Sequence, residues 1–247
     1  MRALYTAASG MTAQQTRLDT IANNIANVST TGFKKSRDAF QDLFYQKMTS
    51  GGELGAGTRI AGIERDQGQG ALTATNNPLH IGIQGDAFFV VESVDGDALY
   101  TRDGAFSKDV DGYLVTAGGL RVGGDIQIPD DAAQLLVDYD GTVHAQLVGA
   151  TTEDVVLGQI QVVRFVNAAG LEARGNNLFR PTIESGEPID AEPGSDIQLV
   201  QGFLEGSNVD VATELIDMIQ AQRVYELNSK VVQAADETLG VAANLRR

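Results

Sequence analysis

VATELIDMIQAQRVYELNSKVVQAADETL, residues 211–239, contains neither proline nor glycine and carries Val211, Met218, Tyr225, Val232 and Leu239 seven apart. Apolar residues at that spacing form one stripe along an α-helix, the seam of a coiled coil. Ala221 and Ala235 lie three further on, in a row whose polar members are Glu214 and Asn228. Leu215, Ile216, Ile219, Leu227 and Val231 fall off the seam. The apolar surface is therefore wider than a two-stranded coil needs. Asp210 suits the N-cap, where its carboxylate favours the positive helix end, and the pattern predicts a helix from 210 to about 244.

Working outward, the other end of the chain reads the same way. Leu4, Met11, Leu18 and Ile25 are spaced seven apart, with Ala7 and Ile21 on the same side. A helix over 3–27 would span roughly 38 Å. Gly10 sits inside it at a cost of about 1 kcal/mol relative to alanine. Asn23, Asn24 and Asn27 crowd its end, and Ser29-Thr30-Thr31-Gly32 stops it. The two helices either pair within one small globular domain or serve assembly. Apolar stripes too wide for one narrow partner favour neighbours in an oligomer.

The middle differs in charge and in punctuation. The chain has 247 residues and a formal charge of 18 − 33 = −15. Residues 51–205 hold 8 basic and 24 acidic residues and all five prolines, so nearly all the acidity lies between the two ends. Such a surface excludes a general nucleic-acid binder, which needs a basic face. The absence of cysteine excludes thiol catalysis, a disulfide scaffold and cysteine-ligated metal. No secretion signal opens the chain, and no run approaches the roughly 18 to 20 apolar residues of a membrane span. Ile81-Gly82-Ile83, Phe88–Val91 and Ala98–Thr101 read as strands, as do Gln159–Phe165 and Asp196–Phe203. Turns are expected at Asp95-Gly96, Asp103-Gly104, Asp111-Gly112, Gly118-Gly119, Gly123-Gly124, Asp140-Gly141 and Ala169-Gly170. The near-repeats Asp109–Gly112 and Asp138–Gly141 lack the later acidic residue of a calcium loop, so hairpin turns explain both. Two histidines, His80 and His144, and no nucleophile or phosphate-loop motif leave catalysis without a candidate residue, metal or cofactor. Carboxylate pairs such as Asp130-Asp131 and Glu153-Asp154 follow from solubility. A glycan-acting envelope enzyme or a soluble binding module would be the alternatives from other classes, and neither gains a specific residue.

Ala22-Asn23-Asn24-Ile25-Ala26-Asn27-Val28-Ser29-Thr30-Thr31-Gly32-Phe33-Lys34 closely resembles the N-terminal signature of the bacterial flagellar rod and hook proteins. Gly85–Phe89, Tyr100–Phe106, Leu114–Gly119, Glu205–Val211 and Met218–Glu226 resemble further segments of that family, in its order. Asp42-Leu43-Phe44-Tyr45-Gln46 and Tyr225–Lys230 are most similar to its distal-rod members, with proximal-rod members the closest competitor. The gap 47–54 is shorter than distal-rod members usually carry.

The resemblance implies an α+β fold. A coiled-coil helix at 1–28 and another at 206–247 would pair, with a linker at 29–70 and a β-rich acidic outer domain at 71–205. It implies a non-enzymatic subunit of a hollow drive shaft. Assembly contacts fall on Leu4, Met11, Leu18, Ile21, Ile25, Val211, Leu215, Met218, Tyr225, Val232 and Leu239. The signature and linker residues are Asn23, Asn24, Asn27, Ser29, Thr30, Gly32 and Phe33. Implied partners are further copies, other rod proteins, the hook protein, basal-body ring proteins and the flagellar type III export apparatus, without nucleic acid or membrane insertion. The implied place is the periplasm-spanning basal body, reached without a cleaved signal.

Overall fold

The computed structural model describes residues 2–43, 45–47, 53–93, 96–147, 154–191, 193–194 and 196–244. Phe44, Asp95, Glu153 and most of the 47–54 gap lie outside the described residues. Helices at both ends and strands between them make the fold α+β. The chain divides into two compact units: Met1–Asn27, Lys35–Asp66 and Val209–Arg247 form one, Val28–Lys34 and Gln67–Asn208 the other.

In the first unit, helix α1 spans Arg2–Ala26 and helix α2 spans Val211–Asn244. The helices run antiparallel: Asn24 meets Glu214, Arg17 meets Asp217, and Gly10 faces Asn228. Asp210 caps α2, its carboxylate accepting from the Ala212 N–H and the Thr213 hydroxyl. The bond from Thr213 leads the contacts that hold this carboxyl below its ordinary range. α1 ends where the Asn27 side chain donates back to the Asn23 carbonyl at 2.9 Å. A hairpin, Ser36–Asp42 against Thr58–Arg65, pairs Ser36 with Arg65 and Asp42 with Thr58. Both of its strands pack on α1.

The second unit is antiparallel β-structure. Its main sheet runs in the order Glu172–Gly175, Leu178–Arg180, Ala98–Thr101, Phe88–Glu92, Arg121–Val122, Leu114–Val115 and Ser107–Lys108. Val162–Arg164 branches from Phe88–Glu92 and pairs Ile189–Asp190. A meander of Ala132–Val137, Thr142–Leu147 and Asp154–Gln159 stands beside it. Successive strand side chains face opposite ways, so adjacent Phe88 and Phe89 enter separate cores. Phe89 joins Ile81, Ile83, Leu114 and Leu199, while Phe88 joins Tyr100, Val163, Leu171 and Phe179.

Four loops, starting at Ser93, Asp109, Thr116 and Asp138, repeat one hydrogen-bond pattern. The fourth residue, a glycine, donates to the first carbonyl, and the first N–H donates to the fifth carbonyl. Those glycines, 96, 112, 119 and 141, all have positive φ, as three-residue hairpin loops with a glycine bulge demand. Asp103-Gly104 differs from the expected turn. Gly104 lacks a positive φ and is buried, and a Cβ there would lie 1.7 Å from the Ile81 carbonyl oxygen. It is glycine for close backbone approach. The expected strands Gln159–Phe165 and Asp196–Phe203 are each broken: the first at Ile160-Gln161, the second at Gly202 (φ +81°).

Candidate assembly interface

Among the described residues, most of the exposed large apolar side chains lie in the helix unit. Ile216 and Leu227 are 57% and 60% exposed, and Leu215, Ile219, Val231 and Val241 are also exposed. The face of α2 turned to α1 is the row Glu214, Ala221, Asn228 and Ala235, of which Glu214 and Ala221 are buried. Small side chains let the backbones approach. A Cβ on Gly10 would lie 2.9 Å from Asn228 Nδ2, the end of a side chain that must shift to admit one. α1 is better covered, because it packs on the hairpin as well as on α2. Burying one Leu or Ile side chain contributes about 1.5–3 kcal/mol, so the uncovered side of α2 holds a large unused stabilisation.

A polar knot fixes the same unit. Asn24 is buried; its Oδ1 accepts the Ser36 N–H at 2.9 Å, and its Nδ2 donates to the Ser36 carbonyl at 2.9 Å and to Glu214 Oε2 at 3.2 Å. One carboxamide thus ties α1, the hairpin and α2. Thr20 donates to Asp38 Oδ1 at 2.8 Å. Arg17–Asp217 (3.0 Å) is partly exposed and contributes at most about 1 kcal/mol.

In the second unit the signature continues as the first of three segments, around 30–34, 67–71 and 204–208, that meet on Glu205. Its Oε1 accepts from Lys34 Nζ (2.6 Å) and the Gly70 N–H (2.8 Å), and its Oε2 from Arg102 Nη1 (3.2 Å). Its backbone carbonyl accepts the Gly32 N–H at 2.8 Å. Lys34 also donates to the Gly68 carbonyl at 2.8 Å. All three charged side chains are at most 1% exposed. Burial, with the like charge of Arg102 behind it, pulls the Lys34 ammonium below its ordinary range, against the pull of Glu205. Burial likewise lowers Arg102. Thr31 donates to Asp103 Oδ1 and accepts through its carbonyl from Asn177 Nδ2, both at 2.9 Å.

Of the residues expected at helix contacts, Ile21 is buried, and Leu4, Met11, Leu18, Ile25, Met218 and Val232 are half-buried. Val211, Leu215, Tyr225 and Leu239 are exposed. Of the signature, Asn24 and Gly32 are buried, Asn27, Thr30 and Phe33 half-buried, and Asn23 and Ser29 exposed. Sequence reasoning missed the pairing of Lys34 and Arg102 with Glu205, because the partners lie 171 and 103 positions apart. The polar interruptions Glu214 and Asn228 in an otherwise small-residue row were the available sign of the close helix contact. Among the described residues no group of three or more His, Asp or Glu is gathered to hold a metal ion. No described helix is long and apolar enough to cross a membrane.

Family descriptions match three stretches: a flagella basal body rod protein domain over residues 4–34, the flagellar hook protein FlgE/F/G D1 domain over 82–145, and the flagellar basal body rod FlgEFG protein C-terminal domain over 200–245. The flagellar basal-body rod protein FlgG of Borreliella burgdorferi is 45% identical over 100% of this chain and 99% of its own. FlgG of Caulobacter vibrioides is 40% identical, covering all of both chains. FlgF of the same bacterium is 33% identical over 95% of this chain and 94% of its own.

Proposed function

Because the chain belongs to the flagellar basal-body rod protein family, in its FlgG-type distal branch, we propose that it builds the rod through α2 and the outer side of α1. It is a structural subunit of the basal body, assembling with other rod and hook components, and it is not an enzyme. The single observation that carries the proposed interface is the run of exposed Leu215, Ile216, Ile219, Leu227 and Val231 on α2. In water such a stripe is stable only when another surface covers it. Many copies, each adding one helix pair, would form an inner helical layer with the acidic middle domain outside it.

The finer reading goes further. Leu4, Met11, Leu18, Ile25, Val211, Met218, Tyr225, Val232 and Leu239 act as intra- and inter-subunit contacts that carry torque. Basal-body ring proteins surround the assembled shaft. The chain reaches a periplasm-spanning position through the flagellar type III export apparatus. The exposed apolar residues of α2 and the acidity of residues 51–205 support this division of labour.

Removing 211–247 tests the proposal: electron microscopy of the truncated chain at high concentration is expected to show no tubes while the middle unit stays folded. Leu18→Asp and Val232→Asp are gentler forms of the same test. Tubes and restored swimming from the truncated chain would overturn the assignment.

A further inference from the structure

Resting on the rod reading, in which load must pass along the chain, we propose that Glu205 closes a mechanical clip at the mouth of the β-rich unit. The clip ties together the three stretches that carry the chain in and out, so that none can be peeled away alone.

Every connection of this unit runs through those stretches. The chain enters at Val28 and leaves at Lys34, then re-enters at Gln67 and leaves at Asn208. Each stretch is bonded to both of the others. Between the first and the third, the Gly32 N–H donates to the Glu205 carbonyl at 2.8 Å and the Asn208 N–H to the Phe33 carbonyl at 3.4 Å. Lys34 Nζ adds its bond to Glu205 Oε1 at 2.6 Å, and joins the first stretch to the second through the Gly68 carbonyl at 2.8 Å. Between the second and the third, the Gly70 N–H donates to Glu205 Oε1 and the Gly206 N–H to the Ala71 carbonyl, both at 2.8 Å. Asn208 Nδ2 donates to the Gly68 carbonyl at 3.0 Å. A Cβ on Gly70 would lie 2.0 Å from the Gly206 carbonyl oxygen, so these backbones meet where only glycine fits. Arg102, directly after the strand Ala98–Thr101, holds Glu205 Oε2 at 3.2 Å and anchors the clip to the main sheet.

Equilibrium stability alone gives no reason for charge at this place. A buried ion pair does little more than offset its own desolvation, and apolar side chains of similar volume are often as stable. Apolar burial is non-directional, whereas bonds to a charged group are short and directional. Near-complete burial of Lys34, Arg102 and Glu205 keeps water from replacing those bonds one at a time. The chain direction sets how they are loaded. Gly32 meets Glu205 and Phe33 meets Asn208, so the first and third stretches run the same way. Load arriving at the start of one and the end of the other shears their bonds together instead of unzipping them.

The chain has no cysteine, so pulling handles can be placed at chosen positions. In the full chain, Ser29→Cys with Ala212→Cys loads the first and third stretches against each other. Asp111→Cys with Ile183→Cys loads the same unit away from the clip. Forced unfolding reads a barrier rather than an equilibrium, so the two can separate. Lys34→Met is expected to lower the single-molecule rupture force about twofold between the first handles and to leave it unchanged between the second. Its thermal midpoint is expected to fall by no more than about 3 °C. Asn208→Ala breaks one crossing without touching a buried charge. It is expected to lower the first force by a smaller fraction with the midpoint unmoved, and it decides the case if Lys34→Met proves too unstable to pull. A first force untouched by both variants, or lost equally in both geometries, would overturn the clip and leave the rod reading standing. Unsubstituted chains that form no tubes at any concentration would overturn the rod reading, and with it the load that the clip carries.

Discussion

The β-rich unit and the helix unit treat their apolar residues in opposite ways. In the former, Ile81, Phe89 and Leu199 are fully enclosed, and the buried charges Lys34, Arg102 and Glu205 are paired. In the latter, α2 buries only Glu214 and Ala221 among its described side chains, while many of its large apolar residues face outward. A unit that covers its own core needs no partner to fold; a helix pair covered on one side is half of a structure. The division of charge follows the same line, since the acidity that keeps a surface solvated belongs to the self-sufficient unit.

The harshest attempt to break that contrast is Glu205→Gln. It leaves two buried cations facing a neutral amide, which is expected to destabilise the β-rich unit by about 3–5 kcal/mol. Denaturant unfolding followed by circular dichroism measures it. Lys34→Met is expected to cost much less, because the Arg102–Glu205 pair survives. Equal losses from the two substitutions would show that Glu205 is not the centre of the cluster.

Gly10→Leu acts on the other unit. A side chain there meets Asn228 across the helix contact, and overpacking of this kind costs roughly 1–3 kcal/mol. The loss is expected in the melting of helical signal, with amide protection in the Phe88–Glu92 strand unchanged. Protection falling in both units together would show that they unfold as one.

Much of this division was legible in the sequence. Heptad spacing placed both helices to within a residue or two, because a helix repeats its face regardless of what covers it. Gly96, Gly112, Gly119 and Gly141 were legible as turns because a positive φ is a local demand. Gly104 was misread, since its reason is the Ile81 carbonyl from a distant strand. The same limit hid the Lys34–Glu205–Arg102 cluster: a buried charge is chosen by its partner, and periodicity carries no record of a partner 171 residues away. On α2 the large residues Val211, Tyr225 and Leu239 drew the eye to one row. The most buried α2 positions, Glu214 and Ala221, lie in the neighbouring row, which also holds Asn228, the residue that Gly10 meets.

A smaller effect is expected in the β-rich unit as the pH rises above neutrality. The Lys34 pKa is below its ordinary 10.5 in the folded chain, so between that lowered value and 10.5 the unfolded chain binds more protons. Stability from this group therefore rises with pH across that window. Tyr100 runs the other way above about pH 10, because burial raises its folded pKa above the ordinary 10.0. Unfolding measured on the alkaline side of neutrality, up to pH 10, is expected to show an upward slope that Lys34→Met flattens. An unchanged slope in that variant would remove Lys34 as its source.

The smallest expected change in stability is the most informative about assembly. Leu227 is 60% exposed in the single copy, so Leu227→Asp removes little that one copy buries, and its unfolding free energy is expected to move by less than about 0.5 kcal/mol. In an assembled rod the same position would be desolvated, and an unpaired carboxylate there costs several kcal/mol. Tubes are therefore expected to disappear while the monomer melts as before. Ala221→Asp reverses the pattern: it places the charge on the face already buried against α1 and is expected to unfold the helix pair of the monomer itself. If Leu227→Asp destabilised the monomer as much as Ala221→Asp, α2 would be covered on both sides within one copy. If it left tube growth untouched, the open side of α2 would be solvent-facing in the rod, and the contrast between a complete unit and an incomplete one would fail.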